Sequence, residues 1–219
     1  IAQRQGRAKN SNDLTQPAIL KMMVMGGEGS IIERLKQLHI VPLSISYGYD
    51  PCDYLKAREY QLRRDIPFWK KTAEDDLESM LIGIKGFKGH IFYSCAPCID
   101  EWLDTLDTDL PKNKLFDAIA SHIDHEIHCN YKLYPVNYIA LDMIQDTKAY
   151  EEYYTQADYE KFDAYIAGQI EKINIENRDD KFLRTCLLTQ YAYPAKNYID
   201  ASSESGRLKS LLNRLTFKK

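Results

Sequence analysis

Three cations, Arg4, Arg7 and Lys9, fall within six residues around Gly6, in the run Gln3-Arg4-Gln5-Gly6-Arg7-Ala8-Lys9. Glycine lets a ligand approach the backbone closely, and guanidinium and ammonium groups are the usual partners of phosphate. Ser11, Asn12 and Asp13 follow as N-cap candidates, so the cations sit just ahead of a helix-like stretch whose first amides also favour anions. Taken alone, a single basic loop is more often a solvated charged turn. Cys95-Ala96-Pro97-Cys98, after a strand candidate, has the spacing of a thiol–disulfide redox pair, but no further Cys or His pair stands at zinc-ligand spacing, and two ordinary cysteines are the plainer expectation. His122, His125 and His128 recur every third residue without the His-Glu-x-x-His pattern, and a 100° wheel turns them toward the polar side of their helix. Ile66-Pro67-Phe68-Trp69-Lys70-Lys71 sets two aromatics beside two cations, a composition suited to a membrane interface and equally to a buried Trp with lysines reaching outward.

These groups must be positioned by a chain of 219 residues, 44% of them hydrophobic, with a formal net charge of −3. That composition supports a packed core and argues against non-specific nucleic-acid binding, so an anion must be held by a local cluster. Five cysteines, Cys52, Cys95, Cys98, Cys129 and Cys186, are odd in number and widely spaced, which fits a reducing cytoplasmic setting better than a disulfide framework. No apolar run has the length of a membrane span, although peripheral membrane contact needs only a patch.

The pattern predicts helices over 14–25 and 31–38, the second opened by a capping box at Ser30 and Glu33, and a strand over 40–47 with Pro42 near its start. Further helices are expected over 50–64 and 72–86, and a short strand over 90–94. From about residue 112 the chain reads as mainly helical, over 115–128, 137–145, 158–174, 180–190 and 204–215. Eleven of the sixteen tyrosines lie from Tyr131 onward. The fold class is therefore α/β, a mixed sheet flanked by helices over residues 1–105, followed by a mainly α-helical extension over 106–219.

In order and spacing, Gln5-Gly6-Arg7-Ala8-Lys9, Val41-Pro42-Leu43, Gly89-His90-Ile91-Phe92-Tyr93 with Ala96-Pro97, and the stretch from Asn130 to Ala140 resemble glycerolipid acyltransferases of the PlsC type, the lysophosphatidate and glycerol-3-phosphate acyltransferases, with bacterial members of the Bacteroidetes lineage nearest in pattern. The resemblance implies that Arg7, assisted by Arg4 and Lys9 in a block containing Gln5 and Gly6, holds the phosphate of a lysophospholipid or related acceptor. It implies that Val41, Pro42 and Leu43 shape an acyl groove. Gln5 stands where the family usually has Glu, and the loop is one residue shorter. The donor would be a thioester of acyl-carrier protein or coenzyme A, with no metal and no tightly bound cofactor, and the site would lie in the cytoplasm or at the cytoplasmic face of the inner membrane. The family's catalytic His-x4-Asp is not found: five residues after the five histidines stand Ser44, Cys95, Ile127, Asn130 and Leu133. No catalytic residue is thus expected in this chain, and the dyad is expected upstream of Ile1. A non-catalytic homologue that binds anionic lipid or a protein partner is the alternative.

Overall fold

In the computed structural model, residues 1–4, 9–107 and 109–203 are described. The helix expected over 204–215 lies outside them, as do Gln5, Gly6 and Arg7. The described chain is mostly helical around a small sheet. Helices α1 (Pro17–Met23) and α2 (Ile31–Lys36) precede strand β1 (Leu43–Tyr47), and α3 (Asp53–Asp65) and α4 (Ala73–Lys85) separate it from β2 (Ile91–Cys95). Then come the short α5 (Asp100–Leu103), α6 (Lys112–Cys129), α7 (Pro135–Gln145), a 3₁₀ turn at Glu151–Tyr153, α8 (Gln156–Glu171) and the long α9 (Asp180–Ser202).

Local chemistry accounts for the helix starts. Pro17 opens α1, where its missing N–H costs nothing. At α2 the Glu33 amide donates to Ser30 Oγ (3.2 Å) while the Ser30 amide donates to Glu33 Oε2 (2.7 Å). Thr72 with Asp75 and Thr155 with Asp158 repeat that reciprocal cap at α4 and α8. The expected first and third helices start later than the pattern suggests, at Pro17 and Asp53, the third because Asp50 to Cys52 form a turn ahead of it.

The sheet is where expectation and structure part. Among the described residues it is two antiparallel strands in the register Leu43↔Cys95, Ile45↔Tyr93, Tyr47↔Ile91, not a mixed sheet. Pro42 stands one residue before β1, where its carbonyl still accepts the Ala96 amide at 2.9 Å. The serine face of the ribbon is turned inward: Ser44 Oγ donates to the Ile127 carbonyl (2.6 Å), Ser46 Oγ accepts the Lys132 amide (3.0 Å), and Ser94 Oγ donates to Asn130 (3.1 Å). Leu43, Ile45 and Tyr47, with Ile91 and Tyr93 opposite, are left exposed.

Two apolar clusters hold the helices. One gathers Leu20, Leu35, Ile99, Leu103 and the inner residues of α6; the other joins α7, α8 and α9 with Ala57 of α3. The histidines of α6 correct the wheel argument, because this helix is covered on more than one side. His122 stacks on Trp102 (3.8 Å between centroids, 7° between planes), and His128 is buried. Burial pushes the His128 pKa down to about 4, against a hydrogen bond with the Asp13 backbone. Phe68 stands out fully in solvent at a left-handed φ of 62°, beside a partly buried Trp69.

Candidate functional site

The basic segment is built into the fold by carboxylates. Lys9 Nζ pairs with Glu59, a side chain almost wholly buried on α3 and also engaged by Arg63 (2.8 Å) and Lys71 (3.8 Å). Arg4 approaches Asp13 at 3.7 Å. Two of the three cations expected at a phosphate are therefore close to carboxylates, and the third, Arg7, is outside the described residues. Beyond them the segment is pinned: Thr15 donates to Asp124 through its amide (2.8 Å) and its hydroxyl (2.6 Å), and the Gln16 amide donates to the Gln3 carbonyl (2.8 Å).

This anchoring lays the segment against β1. Ser11 and Asp13 share a cavity of about 130 Å³ with Ile45, Ser46, Tyr47, Lys132 and Tyr191. Its wall also carries Asp50 and Lys56, an ion pair in which the Asp50 carboxylate additionally accepts the Cys52 amide (2.9 Å). Gln190 Oε1 is shut off from solvent without a hydrogen-bond partner, while the same side chain donates to the Asp53 carbonyl at 3.2 Å. A space of this size holds a few water molecules or a small polar group.

Behind the cavity lies a buried carboxyl network. Asp53, fully buried at the start of α3, accepts hydrogen bonds from Tyr191 (2.6 Å) and Tyr165 (2.7 Å), and the Tyr54 amide donates to its other oxygen (2.6 Å). Burial pushes its pKa up to about 6, against those tyrosine hydrogen bonds. Burial, and then the charge of Asp53, drives Tyr191 well above the ordinary phenol range. Such a network can orient neighbours and hold a proton near neutral pH.

Val41 and Leu43 are each nearly half exposed and continue into Ile45, whereas Pro42 is buried between them. Of the three expected groove residues, Val41 and Leu43 thus lie on the exposed apolar side and Pro42 turns inward, while Gln5, Gly6 and Arg7 of the expected phosphate block lie outside the described residues. Asp50, Asp53, Lys56, Lys132 and Tyr191 are additions that sequence reasoning missed. Asp50 and Asp53 read as helix-start acids, and nothing local signals partners more than a hundred positions away. Cys95 and Cys98 are free thiols, Cys95 exposed at the end of β2. Among the described residues no helix is long and apolar enough to cross a membrane. Compared with known proteins, the chain matches no family model, and no curated protein or solved structure matches it significantly.

Proposed function

We propose that this chain supplies the acceptor- and acyl-binding part of a glycerolipid acyltransferase. In that reaction the hydroxyl of a lysophospholipid or similar glycerol-phosphate acceptor attacks the thioester carbonyl of acyl-carrier protein or acyl-coenzyme A. A base takes the hydroxyl proton, the ester forms, and the thiol leaves. Arg7, with Arg4 and Lys9, binds the acceptor phosphate; Val41 and Leu43 contact the acyl chain at the open face of the ribbon. The base is assigned to none of these 219 residues. The observation that carries this reading is the exposed apolar run of Val41, Leu43 and Ile45 at β1, downstream of the basic run Arg4 to Lys9 in the order that the family shows. An exposed apolar face can receive a hydrocarbon tail, and a local cluster of cations a phosphate headgroup.

The test is acyl transfer by the protein from an acyl thioester to a lysophosphatidate acceptor. Arg7→Ala should raise the KM for a lysophosphatidate acceptor at least tenfold, with a smaller effect for Arg7→Lys, which keeps the charge without the planar fork. An acceptor KM that does not change sinks the assignment. The carboxylate partners of Lys9 and Arg4 favour a second reading, in which the segment is structural and the protein binds anionic lipid or a partner without catalysis. Phosphate-dependent binding of a lysolipid in the absence of any acyl transfer is the result that selects it.

A further inference from the structure

Cys98 has a carboxylate two residues on in sequence, and the fold adds an imidazole to the pair. His39, just past α2, and Asp100, at the start of α5, come together with it, so that one imidazole nitrogen, the Cys98 sulfur and one carboxylate oxygen all lie within 4.8 Å of one another. We propose that His39, Cys98 and Asp100 bind a zinc ion, with the fourth position open to water or an added ligand.

The donor set suits this metal. Zinc takes thiolate, imidazole and carboxylate together, whereas magnesium and calcium avoid sulfur. Neutral imidazole, thiolate and carboxylate also balance the ion's two positive charges. The two loops that carry the ligands are held in register by the backbone: the Ile99 amide donates to Ile40 (3.0 Å) and the Ala96 amide to Pro42 (2.9 Å). His39 sits at a left-handed φ of 46°, where the chain turns out of α2. Asp100 Oδ1 is closed off from solvent, and Oδ2 meets His39 Nδ1 at 2.6 Å. Lys36, a cation close enough for its charge to act on Asp100, is itself paired with Asp104 at 2.6 Å. Tetrahedral ligand atoms around zinc are about 3.3–3.8 Å apart, so metal entry requires the His39–Asp100 contact to open by about an ångström. His39 is largely in solvent and free to make that movement. Binding displaces the thiol proton of Cys98 to solvent. Cys95 does not belong to the group, which separates this site from a Cys-x-x-Cys redox pair.

The experiment uses the reduced full chain, titrated with Zn²⁺ against a chromophoric chelator and with Co²⁺ by absorption. One equivalent should bind, with a sulfur-to-cobalt charge-transfer band in the near ultraviolet. Cys98→Ser should abolish that band and weaken Zn²⁺ binding more than tenfold, His39→Ala and Asp100→Asn should each weaken it about tenfold or more, and Cys95→Ser should change neither. His39 is exposed, so its variant separates ligand loss from misfolding, and circular dichroism verifies each fold. Absence of stoichiometric binding, a cobalt spectrum without the sulfur band, or binding that survives Cys98→Ser overturns the proposal.

Discussion

Asp53 and His128 are buried ionisable side chains that burial shifts in opposite senses, and each ties protein stability to pH. Asp53 rises from 3.8 to about 6, so the folded state holds a proton that the unfolded chain has released between those values. Its contribution to stability is full below about pH 4 and is lost as pH rises through 6. His128 falls from 6.5 to about 4, so there the unfolded chain takes the extra proton, and the contribution is full above pH 6.5 and lost as pH falls through 4. The two slopes oppose each other in the same window and conceal one another in the wild type. Difference measurements expose them. The unfolding free energy of wild type minus Asp53→Asn should fall by about 2–3 kcal/mol between pH 4 and pH 7, and that of wild type minus His128→Gln should rise by a similar amount. Denaturant titrations of the three proteins across that range check both signs. The burial of neither residue is announced in the sequence. An acid opening a helix reads as a cap, and Asp53 becomes buried only because Tyr165 and Tyr191 arrive from α8 and α9.

At the scale of elements, the ribbon shows what periodicity settles and what it leaves open. Leu43-Ser44-Ile45-Ser46-Tyr47 alternates and so marks a strand with two unlike faces, but alternation does not say which face turns inward. Here the serines do, because α6 and the turn after it offer hydrogen-bonding groups rather than an apolar surface. Ser44→Ala should therefore cost about 1 kcal/mol through loss of the buried hydroxyl bond to Ile127. Ile45→Ser, on the open face, should cost less than about 0.5 kcal/mol. Equal losses in chemical denaturation would contradict the inward serine face. The capping box of Ser30 and Glu33, by contrast, is legible in the sequence, since every atom it requires lies within four residues. The candidate site was legible only as two short blocks; the carboxyl network behind the cavity depends on contacts made across the fold, from Tyr165 and Tyr191 to Asp53.

Across the whole molecule, apolar side chains are concentrated outside as well as inside. Leu77, Met80, Leu81 and Ile84 form an outward stripe along α4, at the helical spacing that normally marks a core-facing side. Phe68 and Phe87 are also exposed. A sequence reader assigns such a stripe to the interior, because nothing in periodicity reveals whether a neighbour covers it. Leu77→Ser with Ile84→Ser should leave the unfolding midpoint nearly unchanged and reduce both self-association and binding of a hydrophobic dye. A large fall in the midpoint would show that α4 depends on those side chains for its own packing.

The ribbon has one more consequence, in time rather than in space. The flanking backbone bonds, Gly48 to His90 and Ala96 to Pro42, fix which amides of β1 face β2: those of Ser44 and Ser46 do, and those of Leu43 and Ile45 point away. Deuterium should therefore enter this strand in a two-beat pattern, slow at the serines and fast at the residues between them. Whatever lies along the outer side of β1 in the working protein will slow the fast amides without altering the slow ones, so the exchange rates of Leu43 and Ile45 act as a clock that runs only while that side is bare.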